Sequence, residues 1–161
     1  MGKIKKVILI VSIITFIFYC IGYCEDAKEE VKQYISKINP IIINVQITSR
    51  NVSQNPASLG PAVKKMSEYL VQLRAIKPPS LMAREHKMIL LSFYKMKMGF
   101  YLLTKRDKIT SVPLVRKGAE LLKAASRDII DFARKEGLIK EKDSSAKSLA
   151  PIENNAQLKN Q

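Results

Sequence analysis

The stretch at residues 80–105 reads SLMAREHKMILLSFYKMKMGFYLLTK. Its apolar side chains recur at alternating steps of four and three residues, which is the spacing of one face of an α-helix. The pattern predicts a long amphipathic helix whose buried seam consists of Met82, His86, Ile89, Phe93, Met96, Phe100 and Leu103.

Three further segments repeat this periodicity and predict three more helices. The helix at 26–53 has a stripe of Val31, Ile35, Ile38, Ile42, Val45 and Val52. The helix at 61–76 has a shorter stripe of Val63, Met66, Leu70 and Leu73. The helix at 112–136 has a seam of Leu114, Gly118, Leu121, Ala125, Ile129 and Phe132.

Local residue signals set the expected ends of these helices. Asp26 and Glu29 have the spacing of a capping box, and Ser80 is expected to cap the helix at 80–105. Pro40 predicts a kink or a break near Asn39, because proline has no N–H to donate and its ring crowds the preceding turn. Connectors are expected at residues 53–60, 77–79 and 106–110, and a glycine stop is expected at Gly137.

Four amphipathic helices joined by short connectors predict an all-α, antiparallel four-helix bundle over residues 25–139. Residues 140–161 are rich in Lys, Ser, Asn and Gln and have no hydrophobic periodicity, so we predict a disordered polar tail.

The beginning of the chain carries the composition of an export segment. Residues 7–24 read VILIVSIITFIFYCIGYC, without a charge, and Lys3, Lys5 and Lys6 precede them. This layout predicts a signal peptide or membrane anchor over residues 1–24 and an extracytoplasmic protein, periplasmic or secreted. Cleavage before Glu25, lipid on Cys24, and an uncleaved anchor are three alternatives that the sequence leaves open.

The composition argues against an enzyme. The chain has one histidine, His86, and two cysteines, Cys20 and Cys24, which would leave with a cleaved leader. A Ser-His-Asp or Cys-His set cannot be assembled from these residues, and no glycine-rich phosphate loop is present in the sequence. We therefore expect no catalytic residues and no cofactor.

Met82 and His86 lie four residues apart on one helical face and form a candidate site for Cu(I), which accepts thioether and imidazole ligands. The simpler interpretation is a buried histidine that hydrogen-bonds a neighbour such as Glu85 or a loop carbonyl. Small residues such as Gly118 and Ala125 either admit a neighbouring helix closely or leave a pocket for an apolar ligand.

The third and fourth helices together suggest a contact surface. Residues 88–103 contain 12 apolar residues in 16, more than one buried stripe requires. Burial among neighbouring helices is the simpler explanation, and a partner surface is the alternative. The whole chain carries 28 Lys and Arg against 14 Asp and Glu. Residues 80–136 contain 13 of these basic residues and 6 of the acidic ones. The candidate partner residues are Lys87, Leu91, Lys95, Met98, Leu102, Arg116 and Lys123.

These observations predict an exported, non-enzymatic interaction or structural module at the cell envelope. Its partner is expected to be a protein or an envelope component, with a homodimer as a further alternative. A nucleic-acid partner is disfavoured because export separates the chain from it. The alternative functions are a copper or small-ligand carrier and a peripheral binder of anionic membranes or envelope polymers.

Overall fold

The computed structural model describes the backbone of residues 2–139 and the side chains of residues 26–139. This part of the chain is all-helical, as predicted. Its helices are α1 (Gly2–Gln54), α2 (Leu59–Ala75), α3 (Ala83–Thr104) and α4 (Lys108–Lys135), and its 3₁₀ turns are Pro56–Ser58 and Ser80–Met82.

Two predictions fall outside this description. The leader prediction concerns residues 1–24, whose side chains lie outside the described residues, and the tail prediction concerns residues 140–161, which lie outside them entirely. Within residues 26–139, no helical segment is long and apolar enough to cross a membrane.

The core lies between all four helices, and α3 packs against both α2 and α4. The predicted seam of α3 is confirmed, because its first six residues are at most 6% exposed and Leu103 is partly buried. From α1 the core receives Val31, Tyr34, Ile38, Ile41, Ile42 and Val45, and from α2 it receives Ala62, Met66, Leu70 and Leu73.

The first helix corrects the predicted cap at Asp26 and excludes a break at Pro40. It begins at Gly2, so Asp26 lies inside the helix and does not cap it. It also continues through Pro40, so of the kink or break predicted near Asn39 the break does not occur. Proline has no N–H, so the Ser36 carbonyl receives no hydrogen bond from position 40. Pro40 and Ser36 are both exposed, so this carbonyl lies on the solvent side of the helix. A proline on that side is tolerated because water replaces the missing donor.

The first and third connectors are shorter than predicted, whereas the second is longer and spans residues 76–82 instead of 77–79. The predicted loop at 53–60 is reduced to a 3₁₀ turn that Asn55 caps, with its side chain accepting a 3.0 Å hydrogen bond from the Ala57 N–H. Helix α4 begins at Lys108, within the predicted 106–110 connector, because Asp107 accepts a 3.0 Å hydrogen bond from the Thr110 N–H. The expected cap at Ser80 is wrong, since Ser80 lies in a 3₁₀ turn and α3 has no side-chain cap.

The end of α4 confirms the predicted glycine stop. Gly137 has a φ of 69°, a left-handed conformation that glycine adopts without a Cβ penalty. The Leu138 N–H then donates to the Ala133 carbonyl at 2.8 Å, and the Gly137 N–H donates to the Arg134 carbonyl at 3.0 Å. Leu138 packs against the core, which completes a Schellman-type ending.

The buried face of α4 is rotated slightly from the predicted seam. Gly118, Ala125 and Ile129 are buried as expected, whereas Leu114, Leu121 and Phe132 are only partly buried. The other buried positions are Ser111, Leu122, Ser126, Ile130 and Ala133. Gly118 faces α3, and its lack of a side chain lets the two helices approach very closely.

Candidate interaction surface

The crossing of α3 and α4 fixes the orientation of α3. A Cβ added at Gly118 would lie 2.5 Å from Met96 Cγ and 2.8 Å from the Ser92 carbonyl oxygen. A Cβ added at Gly99 would clash with the Val115 side chain and lie 3.0 Å from the Ser111 carbonyl oxygen. The two helices therefore meet backbone to backbone, and at Gly118 the small residue serves close packing and not a ligand pocket.

This orientation turns a second face of α3 toward solvent. We call the residues of this face the outer seam, and they are Arg84, Lys87, Leu91, Tyr94, Met98, Tyr101 and Lys105. Their spacing alternates between three and four residues, as it does in the buried seam. Tyr94 is 50% exposed, Leu91 46% and Tyr101 44%, and Met98 is partly exposed between them. The middle of the outer seam is thus an apolar and aromatic row.

Cations surround this row. Arg84 and Lys87 precede it, and Lys105 follows it with its Nζ 5.7 Å from the centroid of the Tyr101 ring. Lys95 and Lys97 lie on either side of the row and are partly buried. The row is consequently an apolar strip inside a positive frame.

No acid of α3 balances these cations on the outer seam. The acid within α3 is Glu85, which is partly buried and close enough to Tyr34 to raise the pKa of that phenol. The ion pairs found among the described residues join α1 to α4, as Lys28 does to Glu136 at 3.2 Å, or lie within α1 or α4. In the described part of the chain the outer-seam cations thus have no carboxylate partner.

The sequence-predicted partner residues fall into two groups. Lys87, Leu91 and Met98 belong to the outer seam, while Lys95 and the partly buried Leu102 lie beside it. Arg116 and Lys123 are exposed on the neighbouring helix α4, where Lys117 pairs with Glu120 at 3.4 Å. The structure therefore brings the α3 candidates together and places the other two in a separate row.

Tyr94 and Tyr101 were missed by the sequence analysis. Both were counted among the residues that burial among neighbouring helices would explain, yet each is about half exposed. The 3-4 spacing from Leu91 through Tyr94 and Met98 to Tyr101 was the available signal, because it repeats the helical period on a face opposite the buried seam.

The candidate metal ligands Met82 and His86 lie inside the bundle. Met82 is 2% exposed and His86 6% exposed. The Nδ1 atom of His86 lies 3.0 Å from the Tyr34 hydroxyl oxygen, so its partner comes from α1 and is neither Glu85 nor a loop carbonyl. A Cu(I) ion bound at Nδ1 would have to displace this hydrogen bond. Within the described residues, no group of three or more His, Cys, Asp or Glu side chains could hold a metal ion.

Burial keeps the Tyr34–His86 pair neutral. It lowers the pKa of His86 below the usual 6.5, because the imidazolium form loses hydration in the core. It also raises the pKa of Tyr34 above 10, with a smaller contribution from the Glu85 charge. A neutral phenol and a neutral imidazole form a buried hydrogen bond that joins α1 to α3. This bond lies on the buried side of α3, opposite the outer seam.

Comparison with known proteins gives no relative from which to argue. Family models, curated proteins and solved structures all yield no match to this chain. Any function proposed for it therefore depends on the geometry of the outer seam.

Proposed function

We propose that this protein is a non-enzymatic interaction module that acts on the extracytoplasmic side of the cell envelope through the outer seam of α3. The observation that carries the proposal is the row of large apolar side chains, Leu91, Tyr94 and Tyr101, each 44–50% exposed on a folded bundle. A contiguous apolar patch with a polar rim is typical of a protein or membrane contact site.

The support behind the outer seam favours a contact surface over a loose surface helix. Phe93 and Phe100, on the opposite side of α3, are at most 2% exposed. The backbone contact at Gly99 and Gly118 holds α3 against α4. A rigid helix loses little conformational freedom when a partner binds, so less of the binding free energy is spent on ordering the surface.

The copper-carrier alternative has less support. Met82 and His86 are both buried, and the His86 Nδ1 already has the Tyr34 hydroxyl as its partner. The anionic-membrane alternative uses the same cations as our proposal, and the chemical nature of the bound partner distinguishes the two. The extracytoplasmic location follows from the leader predicted at residues 1–24.

Site-specific photo-crosslinking in the cells that make the protein tests this proposal. The photoreactive residue p-benzoylphenylalanine replaces Tyr94 in one variant and Val71 in the control variant. Val71 lies on α2 and is 68% exposed, so it offers an accessible apolar position away from the outer seam. We expect covalent adducts at position 94 and few at position 71. Equal yields at both positions, or no adduct at either, would refute the proposal.

A further inference from the structure

We infer that the outer seam of α3 binds an amphipathic helix of a partner protein whose flanks carry Asp or Glu. This inference rests on the proposed function and adds the shape and the charge of the partner. Three observations carry it: the spacing of the outer seam, the position of its cations, and the repulsion that a second copy of the chain would meet.

The outer seam has the spacing of a coiled-coil face. Positions 84, 91, 98 and 105 fall on one heptad position, and positions 87, 94 and 101 fall on the other. An α-helix rises about 1.5 Å per residue, so the seam is about 32 Å long. This is the length of three heptads, which a partner helix can follow with its own apolar side chains between those of α3.

Lys95 and Lys97 occupy the two positions that flank such a face, the e and g positions of the heptad. Charges at these positions choose the partner in paired helices, because they meet the flanking charges of the opposite helix. Both flanks of α3 are positive at the middle of the seam. A partner helix with Glu or Asp at the facing positions would satisfy both lysines at once.

A second copy of this chain does not meet that requirement. An antiparallel pair of α3 helices would bring Lys95 against Lys95 and Lys97 against Lys97, because e faces e and g faces g in that orientation. A parallel pair would bring Lys87 against Lys87 within the seam itself. Like charges at such short distances oppose association, so the seam favours an unlike, acidic partner.

The test uses the protein as purified from the cells that make it and two labelled synthetic peptides of three heptads. Both peptides have leucine at the two seam positions; one has Glu at all flanking positions and the other has Lys. Binding is followed by fluorescence anisotropy at low ionic strength. We expect the acidic peptide to bind at least tenfold more tightly than the basic one, with a Kd on the order of micromolar, as for small transient interfaces.

Charge reversal on the seam gives the decisive comparison. Lys95→Glu together with Lys97→Glu should reverse the preference, so that the basic peptide becomes the tighter ligand. The matched control is Lys64→Glu with Lys65→Glu on α2, where both lysines are exposed and the change in net charge is the same. The control should leave the order of the two peptides unchanged. Tyr94→Ser should weaken binding at least tenfold, whereas Val71→Ser should not.

The inference is overturned if neither peptide binds, or if the control pair shifts the preference as much as the seam pair does. It is also overturned if vesicles containing phosphatidylglycerol bind through Tyr94 while both peptides fail, since the partner would then be a lipid surface. These results leave the proposed function standing as long as crosslinks form at position 94. The absence of crosslinks at that position would refute the proposed function itself.

Discussion

Substitution of Gly118 by alanine probes the close contact that fixes α3. Alanine is the better helix former by about 1 kcal/mol, so an isolated α4 would gain stability from the change. In the bundle, the new Cβ would lie 2.5 Å from Met96 Cγ and 2.8 Å from the Ser92 carbonyl oxygen. Both distances are roughly 1 Å short of an ordinary contact distance.

The cost of this overlap should exceed the gain in propensity. Met96 can adjust its side chain, but the Ser92 carbonyl belongs to the α3 backbone and moves only if the helices separate. Overpacking of this kind typically costs 1–3 kcal/mol, and separating α3 from α4 adds lost contacts. We expect Gly118→Ala to lower the free energy of unfolding by about 1–2 kcal/mol.

Gly60→Ala is the matched control. Gly60 lies in the first turn of α2, and a Cβ added there meets nothing within 4 Å. The same substitution should therefore raise the free energy of unfolding, by up to about 1 kcal/mol. Urea unfolding followed by far-UV circular dichroism measures both variants, provided the m-value is unchanged. A Gly118→Ala protein as stable as the Gly60→Ala protein would refute the close crossing.

Three further predictions concern stability and pH. Ser126→Ala should raise the free energy of unfolding, measured by urea unfolding, by about 1 kcal/mol, because the buried Ser126 hydroxyl lacks a hydrogen-bond partner among the described residues. The control Ser36→Ala, at an exposed site, should change the free energy of unfolding little. The pKa of His86 is lower in the folded chain than the unfolded value of 6.5, so the free energy of unfolding should fall as the pH drops below 6.5. The fall should be at most about 1.4 kcal/mol per pH unit. Thermal unfolding of His86→Gln should lack this fall. Hydrogen bonds from Thr110 lower the pKa of Asp107, so Asp107→Ala should unfold at a lower temperature than the wild type at neutral pH. If the difference in unfolding temperature persists well below pH 3.8, the charged Asp107 cap is contradicted.

The helices could be predicted from the sequence because their buried stripes follow the helical period closely. The buried seam of α3 was predicted residue by residue, and so was the glycine stop at Gly137. The start of α4 was misjudged because Arg106–Thr110 looks like a polar connector, whereas one hydrogen bond from the Thr110 N–H to Asp107 begins the helix earlier. Pro40 does not end the helix because it lies on the solvent side, and local sequence alone does not show which side a proline takes.

The candidate site was predicted only in part. Leu91 and Met98 were identified from the excess of apolar residues in 88–103, but Tyr94 and Tyr101 were not. Their exposure depends on how far α3 rotates toward α4, and that rotation is set by the glycines at 99 and 118. Likewise, the Tyr34–His86 hydrogen bond joins residues 52 positions apart, and such a pairing follows from the packed bundle and not from local spacing.

The most direct test of the proposed interaction surface is hydroxyl-radical footprinting, read by mass spectrometry, of the protein inside its host cells and after purification. In the purified protein, Leu91, Tyr94 and Tyr101 should all be oxidised, because each is 44–50% exposed. If a partner covers the outer seam, their oxidation should fall severalfold in the cell, while Val71 on α2 should react equally in both samples. Equal oxidation of the outer seam in the cell and in the purified protein would contradict the proposal that a partner covers this surface.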